Sequence, residues 1–93
     1  MSRPNREDLI AALGPLADEE PGKEYRSVEL LPVYNAWAEQ NGKAALTVKA
    51  LGEVLAREVT LDRRSGHGHL SIWTLTRAGL ECRNWHVSRA VRS

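Results

Sequence analysis

The stretch Asn41-Gly42-Lys-Ala-Ala-Leu-Thr47 constrains this chain more than any other, because both ends of it are helix signals. Asn and Gly tolerate the left-handed conformation that closes a helix, and Thr is a preferred N-cap. The spacing therefore predicts one helix ending at Asn41, a tight connection, and a second helix opening at Thr47. Before the connection, Leu31, Tyr34, Trp37 and Ala38 fall on one helical face from Ser27 onward. Pro32 crowds the turn before it, so the regular helix is expected to begin at Pro32 itself, with 27–31 a looser turn. After the connection, Val48, Leu51 and Leu55 with Gly52 share one arc to about Arg57, while Lys49, Ala50, Glu53 and Arg57 share the opposite arc. Gly52 costs about 1 kcal/mol in a helix interior; a close helix–helix approach is the expected reason for it, though packing alone would also do.

The flanks complete the order of elements. Asn5 caps a first helix carrying Leu9, Ile10 and Leu13, which Gly14-Pro15 stops or interrupts. An acidic loop with Pro21-Gly22 follows, then a short extended piece at Tyr25 and Arg26, and Ser27 as a second capping candidate. Past Arg57 the hydrophobic period changes to two. Val59 and Leu61, the loop Ser-Gly-His-Gly, and then Leu70, Ile72, Trp73 and Leu75 predict a β-hairpin. The expected fold is α+β, a winged helix-turn-helix of three helices plus a C-terminal two-stranded hairpin wing, over residues 1–78. Residues 79–93 are expected to form a basic tail.

Charge is distributed unevenly. Residues 1–42 carry four basic against eight acidic side chains, and residues 43–93 carry nine against four, so an anion-binding surface belongs to the second half. Nothing in the N-terminal sequence resembles a secretory core or a membrane span, and the single Cys82 forms no internal disulfide, which points to a cytoplasmic protein. No nucleophile motif or glycine-rich phosphate loop appears, so neither an enzyme nor a cofactor is expected. The spacings of His67, His69, Cys82 and His86 fit no common zinc pattern, so no metal is expected either.

Proteins of this architecture place the second helix of the pair in the DNA major groove. The expected DNA-binding residues are Thr47, Lys49, Ala50, Glu53 and Arg57 on that helix and Arg63, Arg64, His67 and His69 on the wing. Glu53 lies in the middle of this face and repels phosphate. That favours a rival reading, a protein-interaction module that binds a replication or host protein. Trp37 and Trp73 are expected in the core, with Trp37→Ala costing about 3–5 kcal/mol. Trp85 is the aromatic left for a partner surface.

Residues 27–75 also resemble the winged-helix domain at the C-terminal end of phage, plasmid and poxvirus-type primase-helicases. The resemblance rests on Tyr34 and Trp37 followed by Asn41-Gly42, on Leu51-Gly52 with Leu55, and on Arg63-Arg64-Ser65 before Trp73. It departs from that family at Leu51, where phenylalanine is usual, and in lacking the phosphate-binding loop of the associated ATPase. The resemblance implies a nucleic-acid-binding fold in a phage or mobile element, in replication or regulation. It does not imply primase or helicase activity.

Overall fold

Asn5 sets the start of the first helix. Its Oδ1 accepts the Asp8 N–H at 2.9 Å, and the Asp8 carboxylate accepts the Asn5 N–H at 3.3 Å, so two end groups are satisfied reciprocally. This is the beginning of a computed structural model that describes residues 4–65 and 71–81. Helix α1 (Arg6–Glu19) is followed by strand β1 (Lys23–Arg26), helices α2 (Ser27–Gln40) and α3 (Val48–Glu58), and strands β2 (Asp62–Ser65) and β3 (Ser71–Leu75). A last short helix, α4, covers residues 77–81. The molecule is an α+β domain with a three-stranded antiparallel sheet.

Pro15 and Pro32 both lie inside helices. The break expected at Gly14-Pro15 does not end α1, which continues to Glu19. Gly14 has no Cβ to clash with the proline ring, so the residue before Pro15 can stay helical. Pro32 likewise sits within α2, not at its start. Each of the two is exposed, so the carbonyl left without an N–H partner one turn back can be hydrated.

Ser27 does not cap α2. The N-cap is Arg26, whose N–H donates to the Glu29 carboxylate at 2.8 Å. That bond, with the Arg26 guanidinium beside it, holds the Glu29 carboxyl below the usual carboxylate range. Ser27 is instead buried, and its Oγ accepts the Trp73 indole N–H at 2.8 Å. The buried arc of α2 is accordingly Ser27, Leu30, Tyr34 and Ala38, with Leu31 and Trp37 only partly buried on its flank. Trp37 packs 5.7 Å from Tyr34, ring centre to ring centre. Among the described residues the fully buried tryptophan is Trp73, so the large cavity penalty expected at Trp37 belongs there.

The sheet order is β1-β3-β2, which makes the extended piece before α2 a third strand paired with β3. The hairpin strand expected around Val59 and Leu61 starts later, at Asp62, because Val59 is the C-cap of α3 and is buried against the core. Tyr25, Trp73 and Arg63 form one row across the three strands on the core side, and Arg26, Ile72 and Arg64 form a row on the other side. Leu9, Leu13, Leu30, Leu51, Leu55 and Leu75 fill the space between helices and sheet.

The expected boundary between domain and tail, after residue 78, falls inside α4. Leu80 is fully buried, and the Thr60 N–H donates to the Gly79 carbonyl at 3.0 Å, so the chain is tied to the core beyond that point. A Cβ on Gly79 would lie 2.5 Å from Leu61 Cδ2 and 3.1 Å from the Thr60 carbonyl oxygen. Gly52 is different. Its nearest neighbour would be Ser27 Oγ at 3.9 Å, an ordinary contact, so no close helix approach requires it.

These two glycines predict opposite outcomes. Gly52→Ala raises stability by about 1 kcal/mol through helix propensity, whereas Gly79→Ala lowers it by about 1–3 kcal/mol through overpacking. Urea melts of the two variants measure both, and a loss at Gly52 would show a tighter α2–α3 contact than this one. Ser27→Ala leaves the buried Trp73 N–H without its acceptor and lowers stability by about 1–3 kcal/mol; the shift in Trp73 near-UV dichroism reports it.

Candidate nucleic-acid interface

The connection between α2 and α3 is held at both ends. Gly42, at φ 67°, lets the chain turn out of α2. The Lys43 N–H then reaches back to the Ala38 carbonyl at 2.8 Å and the Gly42 N–H to Glu39 at 3.4 Å, the paired bonds of a Schellman closure. Further on, Asn35 pairs with the backbone of Leu46 as another strand would: its Oδ1 accepts the Leu46 N–H at 2.9 Å, and its Nδ2 donates to the Leu46 carbonyl at 3.2 Å. Sequence reading missed Asn35, since a polar residue on a mixed helix face carries no signal of an acceptor eleven residues away.

Thr47 is the N-cap of α3, accepting the Ala50 N–H at 3.1 Å, as its sequence position implies. Leu51, Val54 and Leu55 bury one side of the helix. Val48, expected on that side, is only partly buried, and Val54 takes its place. Lys49, Glu53 and Arg57 are exposed on the other side, with Ala50 partly buried at its margin. Among the described residues, neither Lys49 nor Arg57 forms an ion pair. Lys23, Arg26, Lys43, Arg64 and Arg77 all do.

Arg63 and Arg64 are neighbours on β2 but are placed apart. Consecutive residues of β2 face opposite ways, so Arg63 and Arg64 lie on opposite sides of the sheet. Arg63 stands over the Trp73 ring, 5.7 Å from its centroid. Arg64 crosses the outer face of β3 and donates to Glu24 at 2.7 Å. His67 and His69 lie outside the described residues, as do Cys82, Trp85 and His86. The metal question raised by those residues therefore has no structural counterpart here.

A concave feature borders the connection. Pro4, Asp8, Tyr34, Lys43, Ala44 and Leu46 line a cleft of about 440 Å³. Lys43 Nζ lies 3.8 Å from the Asp8 carboxylate at its edge. Burial, and to a smaller extent the Asp8 charge, push the Tyr34 phenol above its ordinary pKa. None of the residues lining this cleft belongs to α3.

No described helix is long and apolar enough to cross a membrane. No protein-family model, curated protein or solved structure matches the chain.

Asn35→Ala removes both bonds to Leu46 and leaves two partly buried backbone groups unpaired, which costs about 1–3 kcal/mol. Amide exchange at Leu46 should accelerate more than exchange in α1. Equal rates in parent and variant would mean that the connection holds its shape without this clamp.

Proposed function

We propose that this domain is a winged-helix DNA-binding protein of a phage or mobile element, acting in replication or regulation. In this reading α3 enters the major groove and the β2–β3 hairpin lies along the backbone. The observation that carries it is the outer arc of α3, where Lys49 and Arg57 are exposed and make no ion pair with another described residue. A cation already neutralised by its own protein must break that contact to bind phosphate, whereas these two need not. The clamp of Asn35 on Leu46 and the cap at Thr47 support the reading further, because a groove helix needs a rigid approach. The phage or mobile-element setting rests on the resemblance of residues 27–75 alone.

The rival, a protein-interaction module, is favoured by two observations. Glu53 stands between Lys49 and Arg57, and Arg64 is committed to Glu24. Both lower the positive potential that a phosphate backbone requires.

Titration of duplexes of different sequence at several salt concentrations separates the two readings. Arg57→Ala should weaken binding evenly across sequences and reduce the salt slope by about one unit, as for one lost phosphate contact. Lys49, one turn inside the capped end of α3, is placed to read a base. Its loss should cost about 1–3 kcal/mol and relax preference at one position. Glu53→Gln and Glu24→Gln should each strengthen binding, the first by removing repulsion and the second by releasing Arg64. If these variants fold yet leave affinity and slope at parent values, DNA is not the partner of this face and the protein-interaction reading replaces it.

A further inference from the structure

We propose that the face of the sheet turned away from the core is a self-association surface. Two copies of the chain would pair there about a two-fold axis, with Arg26 and Arg64 of one copy meeting Glu24 and Asp62 of the other. The proposal does not depend on DNA binding and would stand if that reading failed.

The register carries the argument. On this face Arg26, Ile72 and Arg64 lie side by side across β1, β3 and β2, and Glu24, Thr74 and Asp62 lie side by side in the next row. One row is therefore basic at both ends and the other acidic at both ends, with a small apolar and hydroxyl-bearing centre on β3. Neighbouring strands are about 4.8 Å apart and same-face residues about 7 Å apart along a strand. The four charges thus mark the corners of a small rectangle. Glu24 and Arg26 side chains are each 50% exposed and that of Arg64 is 66% exposed, while Ile72 and Thr74 are partly buried beneath them.

A face that is merely solvated needs charge, but it does not need the signs sorted into rows. Sorting matters for a contact between identical surfaces, which must be complementary to themselves. Consider an axis lying in the contact plane, across the strands and between the two rows. It exchanges the rows while keeping each strand over its own counterpart. Arg26 then faces Glu24 of the second copy, Arg64 faces Asp62 of the second copy, and Ile72 faces Thr74. An axis running along β3 instead lays β1 over β2, so that Arg26 meets Arg64 and Glu24 meets Asp62. Like charges opposed in this way disfavour that arrangement. One of the two symmetric stackings is therefore selected by charge.

Within one copy, Arg64 already donates to Glu24. The contact is exposed on both sides, and exposed pairs contribute little net stability. Its guanidinium keeps further N–H donors for Asp62 of the second copy. Six side chains cover less than the ~800 Å² per partner of a standard interface, so the dimer is weak, with a dissociation constant on the order of 10–100 µM.

Sedimentation equilibrium on the whole chain tests this, read from micromolar to millimolar concentration at low and high salt. The parent should pass from monomer to dimer at low salt and shift back toward monomer as salt is added. Arg64→Asp and Asp62→Arg should each weaken association at least about tenfold, because each opposes like charges. Mixed in equal amounts, the two variants should recover parent-like association, since every opposed pair is again of opposite sign. Thermal melts check that both are folded, and if either is not, Arg26→Glu mixed with Glu24→Arg makes the same exchange on β1. A parent that stays monomeric at low salt, single variants that dimerise like the parent, or folded variants whose mixture shows no recovery would each overturn the proposal.

Discussion

The bond from the Trp73 indole to Ser27 Oγ is the contact on which the remaining geometry depends. Trp73 is the largest buried side chain, at the centre of the central strand, and its polar N–H has to find an acceptor inside the core. Ser27 supplies it from the first turn of α2, directly after β1. One bond therefore joins the strand pairing β1–β3 to the start of the helix that carries the α2–α3 connection. Because Ser27 is used in this way, α2 is capped through Arg26 and Glu29 instead, and its buried arc turns to Leu30, Tyr34 and Ala38. Trp37 is left at the edge of the core as a consequence.

From that anchor the exposed surfaces follow. Tyr34 and Ala38 face the interior, α3 packs its Leu51, Val54 and Leu55 inward, and Lys49, Glu53 and Arg57 are left outside. The approach to α3 is stiff because both Leu46 backbone groups are held by Asn35 and the end of α2 is closed at Gly42. The sheet separates its charges by alternation: Arg63 goes to the core side over Trp73, and Arg64 goes to the outer side toward Glu24. Two neighbours in sequence are thus given to different surfaces. DNA binding as proposed relies mainly on α3 and the proposed self-association on the outer sheet face, and Arg64, held by Glu24 within one copy, is the side chain both would draw on.

Local signals were legible where one residue and its near neighbours decide the outcome. Asn5 and Thr47 cap helices as their positions imply, Asn41-Gly42 ends one, and the polar arc of α3 is exposed as its spacing requires. The prolines misled because sequence alone does not show which side of a helix faces water, and both Pro15 and Pro32 are on the exposed side. The strand start was placed early because Val59 and Leu61 alternate like a strand, although Val59 serves α3 as its C-cap and packs in the core. Leu80 carries no local signal of its burial, because it stands alone between the small Ala78-Gly79 and the charged Glu81 with no apolar residue one helical turn before it.

Local spacing alone sets the start of α1 at Asn5, the end of α2 at Asn41-Gly42, the start of α3 at Thr47, the hairpin after α3 and the outward placing of Lys49, Glu53 and Arg57. These depend on spacing within a turn or two of backbone, and that geometry is nearly the same in any fold. Long-range packing sets the rest: β1 pairs with β3, Ser27 serves Trp73 and Glu24 holds Arg64. The last two contacts join residues 46 and 40 positions apart. No local preference encodes such partners, because they meet only when burial of the whole core brings their elements together.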